Sequence, residues 1–89
     1  MITKEITVLG TVQGVGFRFY TYQKANHLGI KGYVKNMPDG SVKIIAQAPD
    51  EKTFNSFLYY IKRGPSMARV QNVIVQDAPE QNFDSFAIH

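Results

Sequence analysis

Residues 5–28 read EITVLGTVQGVGFRFYTYQKANHL and contain a strand, a turn and a helix in direct succession. The first part, residues 5–12, is rich in β-branched side chains that alternate at a period of two, which predicts a strand. Gly14 and Gly16 then predict a tight turn, because glycine adopts positive φ without a steric penalty. Apolar side chains recur at helical spacing after this turn, so a helix is predicted over residues 18–28.

The rest of the chain predicts a second helix and the remaining strands. Apolar residues recur at i, i+3, i+4 and i+7 in the second helix, which is the clearest helical pattern in the sequence: Phe54, Phe57, Leu58 and Ile61. This helix is expected to begin near Pro49-Asp50-Glu51 and to end at Gly64-Pro65. The predicted strands cover residues 30–37, 41–48, 69–76 and 86–88.

The order of these elements is β-α-β-β-α-β, followed by a short final strand. Right-handed crossovers make two helices on one face of a mostly antiparallel sheet the compact solution for this order. We therefore expect an α+β, ferredoxin-like sandwich that forms one domain over residues 1–89. This fold hosts many functions, so function must be argued from particular residues.

Composition narrows the possible classes of function. The chain has no cysteine, which excludes disulfides, thiolate zinc sites and a cysteine nucleophile. The charged N-terminal residues do not resemble a signal peptide, and no apolar stretch approaches the roughly 18 residues of a membrane span. We expect a cytoplasmic chain without membrane contact. The net charge of +3 favours an anionic partner, such as a small anionic substrate or a nucleic acid.

Two places in the sequence could carry chemistry. The turn at Gly14 and Gly16 can direct consecutive backbone N–H groups into one concavity, with Arg18 at its mouth to grip two phosphate oxygens. On this pattern alone, an anion site and a turn without a ligand are about equally favoured. The second place is Asn36, whose amide could orient a water molecule, although a strand-end asparagine beside a turn is more often part of the turn.

The usual catalytic groups are missing from the sequence. The histidines, His27 and His89, lie at the end of the first helix and at the last position, and both are expected to be exposed to solvent. No serine or aspartate has an evident base nearby. Two histidines without carboxylates at ligand spacing make a poor metal site, so we predict no metal.

The same residues resemble the acylphosphatase family. The run VLGTVQGVGFR at residues 8–18 is similar to the family's phosphate-loop signature, and GYVKNMPDGSV at residues 32–42 resembles its second signature. The resemblance continues through Gly64-Pro65 to the last strand, so it spans nearly the whole chain. One departure is Ala48, where the family often has glycine, and which we place at the start of the second helix.

The resemblance implies an acylphosphatase that cleaves small acyl phosphates into a carboxylate and inorganic phosphate, as a monomer without metal or cofactor. Arg18 would clamp the phosphate and Asn36 would hold the attacking water. The residues implied in phosphate binding are Gln13, Gly14, Val15, Gly16, Phe17 and Arg18. The alternative is a ferredoxin-like module that binds phosphate or RNA without turnover. RNA-recognition domains share the element order, but their aromatic signature fails here after Lys31-Gly32-Tyr33.

Overall fold

The computed structural model describes residues 1–89 and confirms the predicted order of elements. In chain order the elements are β1 (Ile2–Thr11), α1 (Phe17–Leu28), β2 (Lys31–Asn36), β3 (Val42–Ala48), α2 (Glu51–Arg63), β4 (Arg69–Asp77) and β5 (Phe86–Ile88). Neither helix has the length and apolar composition of a membrane-spanning helix.

The strands form one sheet in the order β4-β1-β3-β2-β5. The pairs β1–β3, β1–β4 and β2–β3 are antiparallel, and β5 is parallel to β2. Alternate strand residues pack with both helices into one core, which is the ferredoxin-like arrangement. The largest fully buried side chains of this core are Phe17, Phe57, Ile6, Ile30, Ile44 and Ile61.

The direction of the strands brings three segments to one edge of the sheet. Because β1 and β2 are both antiparallel to β3, they run in the same direction and end at the same edge. β5 is parallel to β2, so it ends there as well. The loop after β1, the end of β2 at Asn36 and the end of β5 at Ile88 therefore meet beside the first turn of α1.

The structure corrects the interpretation of Ala48. This residue does not start the second helix: it is the last residue of β3, pairs with Ile2 of β1 and is fully buried. α2 begins at Glu51 after the N-cap Asp50, whose carboxylate accepts a hydrogen bond from the backbone N–H of Thr53 at 2.8 Å. The methyl group of Ala48 therefore lies in the core at the end of a strand.

Candidate active site

The loop between β1 and α1 has the backbone that its glycines predict. Gly14 has φ 73° and Gly16, the N-cap of α1, has φ 80°, both in the left-handed region. A Cβ added to either glycine would meet no atom within 4 Å. Glycine is therefore required here for the backbone angle rather than for space, because other residues adopt this region at a cost.

The backbone N–H groups of residues 14–19 donate no hydrogen bond within the protein. The first hydrogen bond of α1 runs from Tyr20 N to Gly16 O, at 3.0 Å. No side chain caps this end of the helix, and its first turn contains no acidic residue. A run of free N–H groups at the positive end of a helix dipole is suited to bind an anion.

These groups border a pocket of about 220 Å³. Its lining residues are Val12, Gly14, Gly16, Phe17, Arg18, Phe19, Asn36 and Ile88. The predicted residues Gly14, Gly16, Phe17, Arg18 and Asn36 thus lie together in one pocket, whereas Gln13 and Val15 are not among the lining residues. Larger depressions lie elsewhere on the surface, but none of them contains Arg18 or Asn36.

Arg18 is held by the last residue of the chain. Its Nη1 donates a hydrogen bond to the backbone oxygen of His89, at 2.7 Å. The guanidinium is planar and carries its donors in a fixed fork, so anchoring one nitrogen restricts the orientation of the others. The side chain therefore stands at the pocket in a restrained position rather than moving freely in solvent.

Asn36 lines the pocket, and its side chain contains a buried acceptor without a hydrogen-bond partner. Its Oδ1 is buried and has no hydrogen-bond donor within the protein. Leaving such an oxygen unpaired costs roughly 1–3 kcal/mol, and an unpaired group of this kind calls for an explanation in terms of function or bound water. The oxygen itself is closed off from solvent, although the Asn36 residue lines the pocket.

The side chain of Gln13 faces away from the anion site. Its Nε2 donates to the carbonyl oxygens of Met37 and Ser41, at 2.8 and 2.9 Å. Both amide hydrogens are used, so the Gln13 side chain has no donor left for a phosphate. Only the backbone N–H of this residue is available for the role that the sequence suggests.

Three lining residues of the pocket are not among the predicted site residues: Val12, Phe19 and Ile88. Phe19 and Ile88 are 57% and 42% exposed, and together they place apolar surface at the rim of the pocket. Phe19 could have been predicted, because it follows Arg18 directly and does not lie on the buried face of α1. Ile88 could not, because only the parallel pairing of β5 with β2 brings it opposite Val34 and so to the end of the sheet that contains Asn36.

The two histidines, for which the sequence predicts no catalytic role, lie outside the pocket. His27 and His89 are both exposed, as predicted. The His89 ring stacks on Tyr33, with centroids 4.6 Å apart and planes 7° from parallel. The structure contains no group of three or more His, Cys, Asp or Glu side chains placed to hold a metal ion.

Comparison with known proteins agrees with the resemblance. The sequence matches the acylphosphatase family profile over residues 4–88. An acylphosphatase of Archaeoglobus fulgidus is 51% identical over 88 residues, covering 99% of this chain and 98% of that protein. The crystal structure of an acylphosphatase from Bacillus subtilis has a TM-score of 0.95 and 34% identity, with 100% of this chain and 99% of that chain covered. An acylphosphatase structure from Coxiella burnetii has a TM-score of 0.92 and 30% identity, covering 99% and 92%. The chain belongs to the acylphosphatase family.

Proposed function

We propose that this chain hydrolyses small acyl phosphates to a carboxylate and inorganic phosphate in the pocket between the β1–α1 loop and the end of β2. One observation carries the proposal: free backbone N–H groups, an anchored arginine and the asparagine Asn36 belong to residues that line the same pocket. The first two suit a phosphate, and the third suits a water molecule beside it. A site that only binds an anion does not require an asparagine beside the arginine.

In this proposal the phosphate oxygens accept hydrogen bonds from the loop N–H groups and from Arg18. The negative charge on these oxygens is redistributed as the phosphorus–oxygen bond breaks, and donors that are already in place need no reorganisation. Removal of one such donor from a site that stabilises developing charge costs roughly 3–4 kcal/mol in other enzymes. Positioning and electrostatics can therefore supply most of the acceleration.

Asn36 orients the attacking water. Its side-chain amide hydrogen-bonds the water, so the water oxygen can direct a lone pair at phosphorus on the side opposite the leaving group. An amide cannot deprotonate water, so the proton passes to a phosphate oxygen of the substrate. The leaving group is a carboxylate, a weak base that departs without protonation, and for this reason no general acid is required.

The remaining expectations stay predictions: turnover without metal or cofactor, a monomer, a cytoplasmic location and no nucleic-acid partner.

Apolar surface from Phe19 and Ile88 at the rim would contact the acyl group or exclude water from it. The alternative of a phosphate- or RNA-binding module without turnover assigns no role to Asn36 in the pocket.

The test is steady-state hydrolysis of an aryl acyl phosphate by the purified protein in the presence of a metal chelator. The proposal predicts turnover that saturates with substrate and is inhibited competitively by inorganic phosphate. Folded protein that binds phosphate without turnover would reduce the pocket to a binding site. Folded protein with neither property would direct attention to RNA binding, which a titration with single-stranded RNA measures.

A further inference from the structure

The β1–α1 loop and the end of β2 approach each other without a shared strand pairing. β3 lies between β1 and β2 in the sheet, so the segments that follow β1 and β2 are not hydrogen-bonded neighbours. No backbone hydrogen bond joins residues 12–16 to residues 36–41. The pairing of both strands with β3 fixes the strands, and contacts between the β1–α1 loop and the turn after Asn36 are left to side chains.

Gln13 crosses this gap. Its Nε2 donates to Met37 O at 2.8 Å and to Ser41 O at 2.9 Å, and the side chain is partly buried. The assignment of nitrogen to this side of the amide follows from the two carbonyl acceptors, since an amide oxygen there would face two oxygens. The Gln13 side chain, which belongs to the β1–α1 loop, thus contacts both ends of the turn between β2 and β3.

The turn that Gln13 holds is tightly hydrogen-bonded within itself. Met37 N donates to Ser41 O at 2.9 Å, and Gly40 N donates to Met37 O at 3.1 Å. The carboxylate of Asp39 accepts from the backbone N–H and the hydroxyl of Ser41, at 2.9 and 2.6 Å. These hydrogen bonds tie the turn together, so the contacts of Gln13 with Met37 and Ser41 restrain the whole turn relative to the loop.

Asn36 directly precedes this turn and is the last residue of β2, where its ladder partner is Val42. Its side-chain oxygen has no partner in the protein, so no hydrogen bond to that atom sets its position. The position of the amide thus depends on the backbone at Asn36 and Met37, and Met37 O is one of the atoms that Gln13 holds.

We infer that Gln13 is a positioning residue. Its side-chain amide sets the distance between the β1–α1 loop and the water-orienting amide of Asn36, and it does not itself contact the phosphate. This inference rests on the proposed function. It gives the Gln13 side chain a role different from the phosphate contact that the family resemblance implies for the residue. A displacement near 1 Å at a reacting centre can cost up to about a hundredfold in rate.

The test compares Gln13→Met with Gln47→Met. Methionine has a similar length and no donor, so Gln13→Met removes both hydrogen bonds to the turn. Gln47 is a matched control: its Nε2 also makes two hydrogen bonds, to Thr3 Oγ1 at 3.0 Å and Gln81 O at 2.9 Å, near the other end of β3. Both variants lose the same kind of contact, but only one of them affects the turn beside Asn36.

We expect Gln13→Met to lower kcat about tenfold to a hundredfold, with the inhibition constant for inorganic phosphate changed by less than about twofold. Gln47→Met should leave both constants unchanged. In the Asn36→Ala background, Gln13→Met should have almost no further effect on kcat, because the group that it positions is absent. An equal loss of kcat in both backgrounds, or a matching loss of phosphate affinity, would overturn the inference.

A readout without turnover separates the inference from the proposed function. The side-chain amide signals of Asn36 in a ¹⁵N–¹H spectrum should shift or broaden in Gln13→Met and stay in place in Gln47→Met. If wild-type protein shows no turnover, the proposed function fails, and these signals still decide whether Gln13 positions Asn36. Should Gln13→Met not fold, Gln13→Leu also lacks the donors and adds no charge beside the phosphate site, with the same outcomes.

Discussion

Arg18 Nη1 lies 2.7 Å from the backbone oxygen of His89, although the two residues are 71 positions apart in the sequence. The contact joins the first turn of α1 to the segment that follows β5, across the pocket that contains Asn36. A guanidinium has donors enough to keep this contact and still grip a phosphate, whereas an ammonium presents its charge at a single point. The arginine side chain therefore suits both tasks at once.

Arg18→Lys should lower kcat/KM for an aryl acyl phosphate by about 10²–10³-fold, although the charge is kept. A lysine cannot hold the His89 oxygen and grip two phosphate oxygens together. Steady-state kinetics measures the loss, and Arg63→Lys, an exposed replacement at the end of α2, should leave the rate unchanged. Near-normal turnover of the Arg18 variant would contradict the clamp role.

Asn36→Ala should lower kcat strongly, by about 10²-fold, while the affinity for inorganic phosphate stays within about twofold of wild type. The reason is that the side-chain amide of Asn36 is proposed to hold the water rather than the phosphate. Turnover and competitive inhibition by phosphate give the two constants. Asn55→Ala, an exposed change on α2, is the control. Equal losses in turnover and phosphate affinity would show that Asn36 holds the ligand instead.

Gly16→Ala should weaken phosphate binding and also cost about 1–2 kcal/mol of stability, because alanine is strained at φ 80°. Gly29→Ala is a matched control, since Gly29 has φ 70° at the other end of α1 and its added Cβ also meets open space. Both variants should show similar losses in chemical denaturation, and only Gly16→Ala should lose phosphate affinity. Unchanged phosphate affinity in Gly16→Ala would argue against the loop as the binding site.

Asp50 should contribute a pH-dependent part of the stability. Hydrogen bonds from the backbone N–H and side chain of Thr53 hold the pKa of the Asp50 carboxyl below its ordinary value. A lowered folded-state pKa stabilises above the unfolded-state pKa, and this stabilisation is lost as the pH falls through the folded-state value. The unfolding free energies of wild type and Asp50→Ala should therefore differ most near neutral pH and converge in acid.

Denaturant unfolding between about pH 2 and 7 measures this difference, in a range that includes the ordinary pKa of aspartate. Asp50→Asn is the control, because it keeps an acceptor for the Thr53 N–H but removes the charge. Its stability should lie between those of wild type and Asp50→Ala at neutral pH. A difference between wild type and Asp50→Ala that does not change with pH would contradict the assigned role.

The features that the sequence predicted well are those with local causes. The positive φ of Gly14 and Gly16 follows from the chemistry of the turn itself, and the helical spacing of α2 follows from its own apolar residues. The strand at the start of the chain was predicted only from residue 5 onward, yet β1 begins at Ile2. Its first residues are fixed by partners far away, as in the pairing of Ile2 with Ala48.

The site was predicted in part for the same reason. Arg18 and Asn36 belong to local motifs, so their side chains could be selected from the sequence. Three features depend on how β2, β3 and β5 pair. They are the hydrogen bond of Arg18 to His89, the position of Ile88 at the rim and the hydrogen bond of Gln13 to Met37. No spacing within the chain reports such contacts, because they join residues brought together only by the sheet.

The most direct test of the account is hydrolysis of an acyl phosphate by the purified protein in ¹⁸O-labelled water, with the products analysed by mass spectrometry. If water held by Asn36 attacks the phosphorus bound at the loop, the label appears in inorganic phosphate and the carboxylate carries none. Label in the carboxylate would mean that water attacks the acyl carbon, which would contradict the assigned roles of both the loop and Asn36.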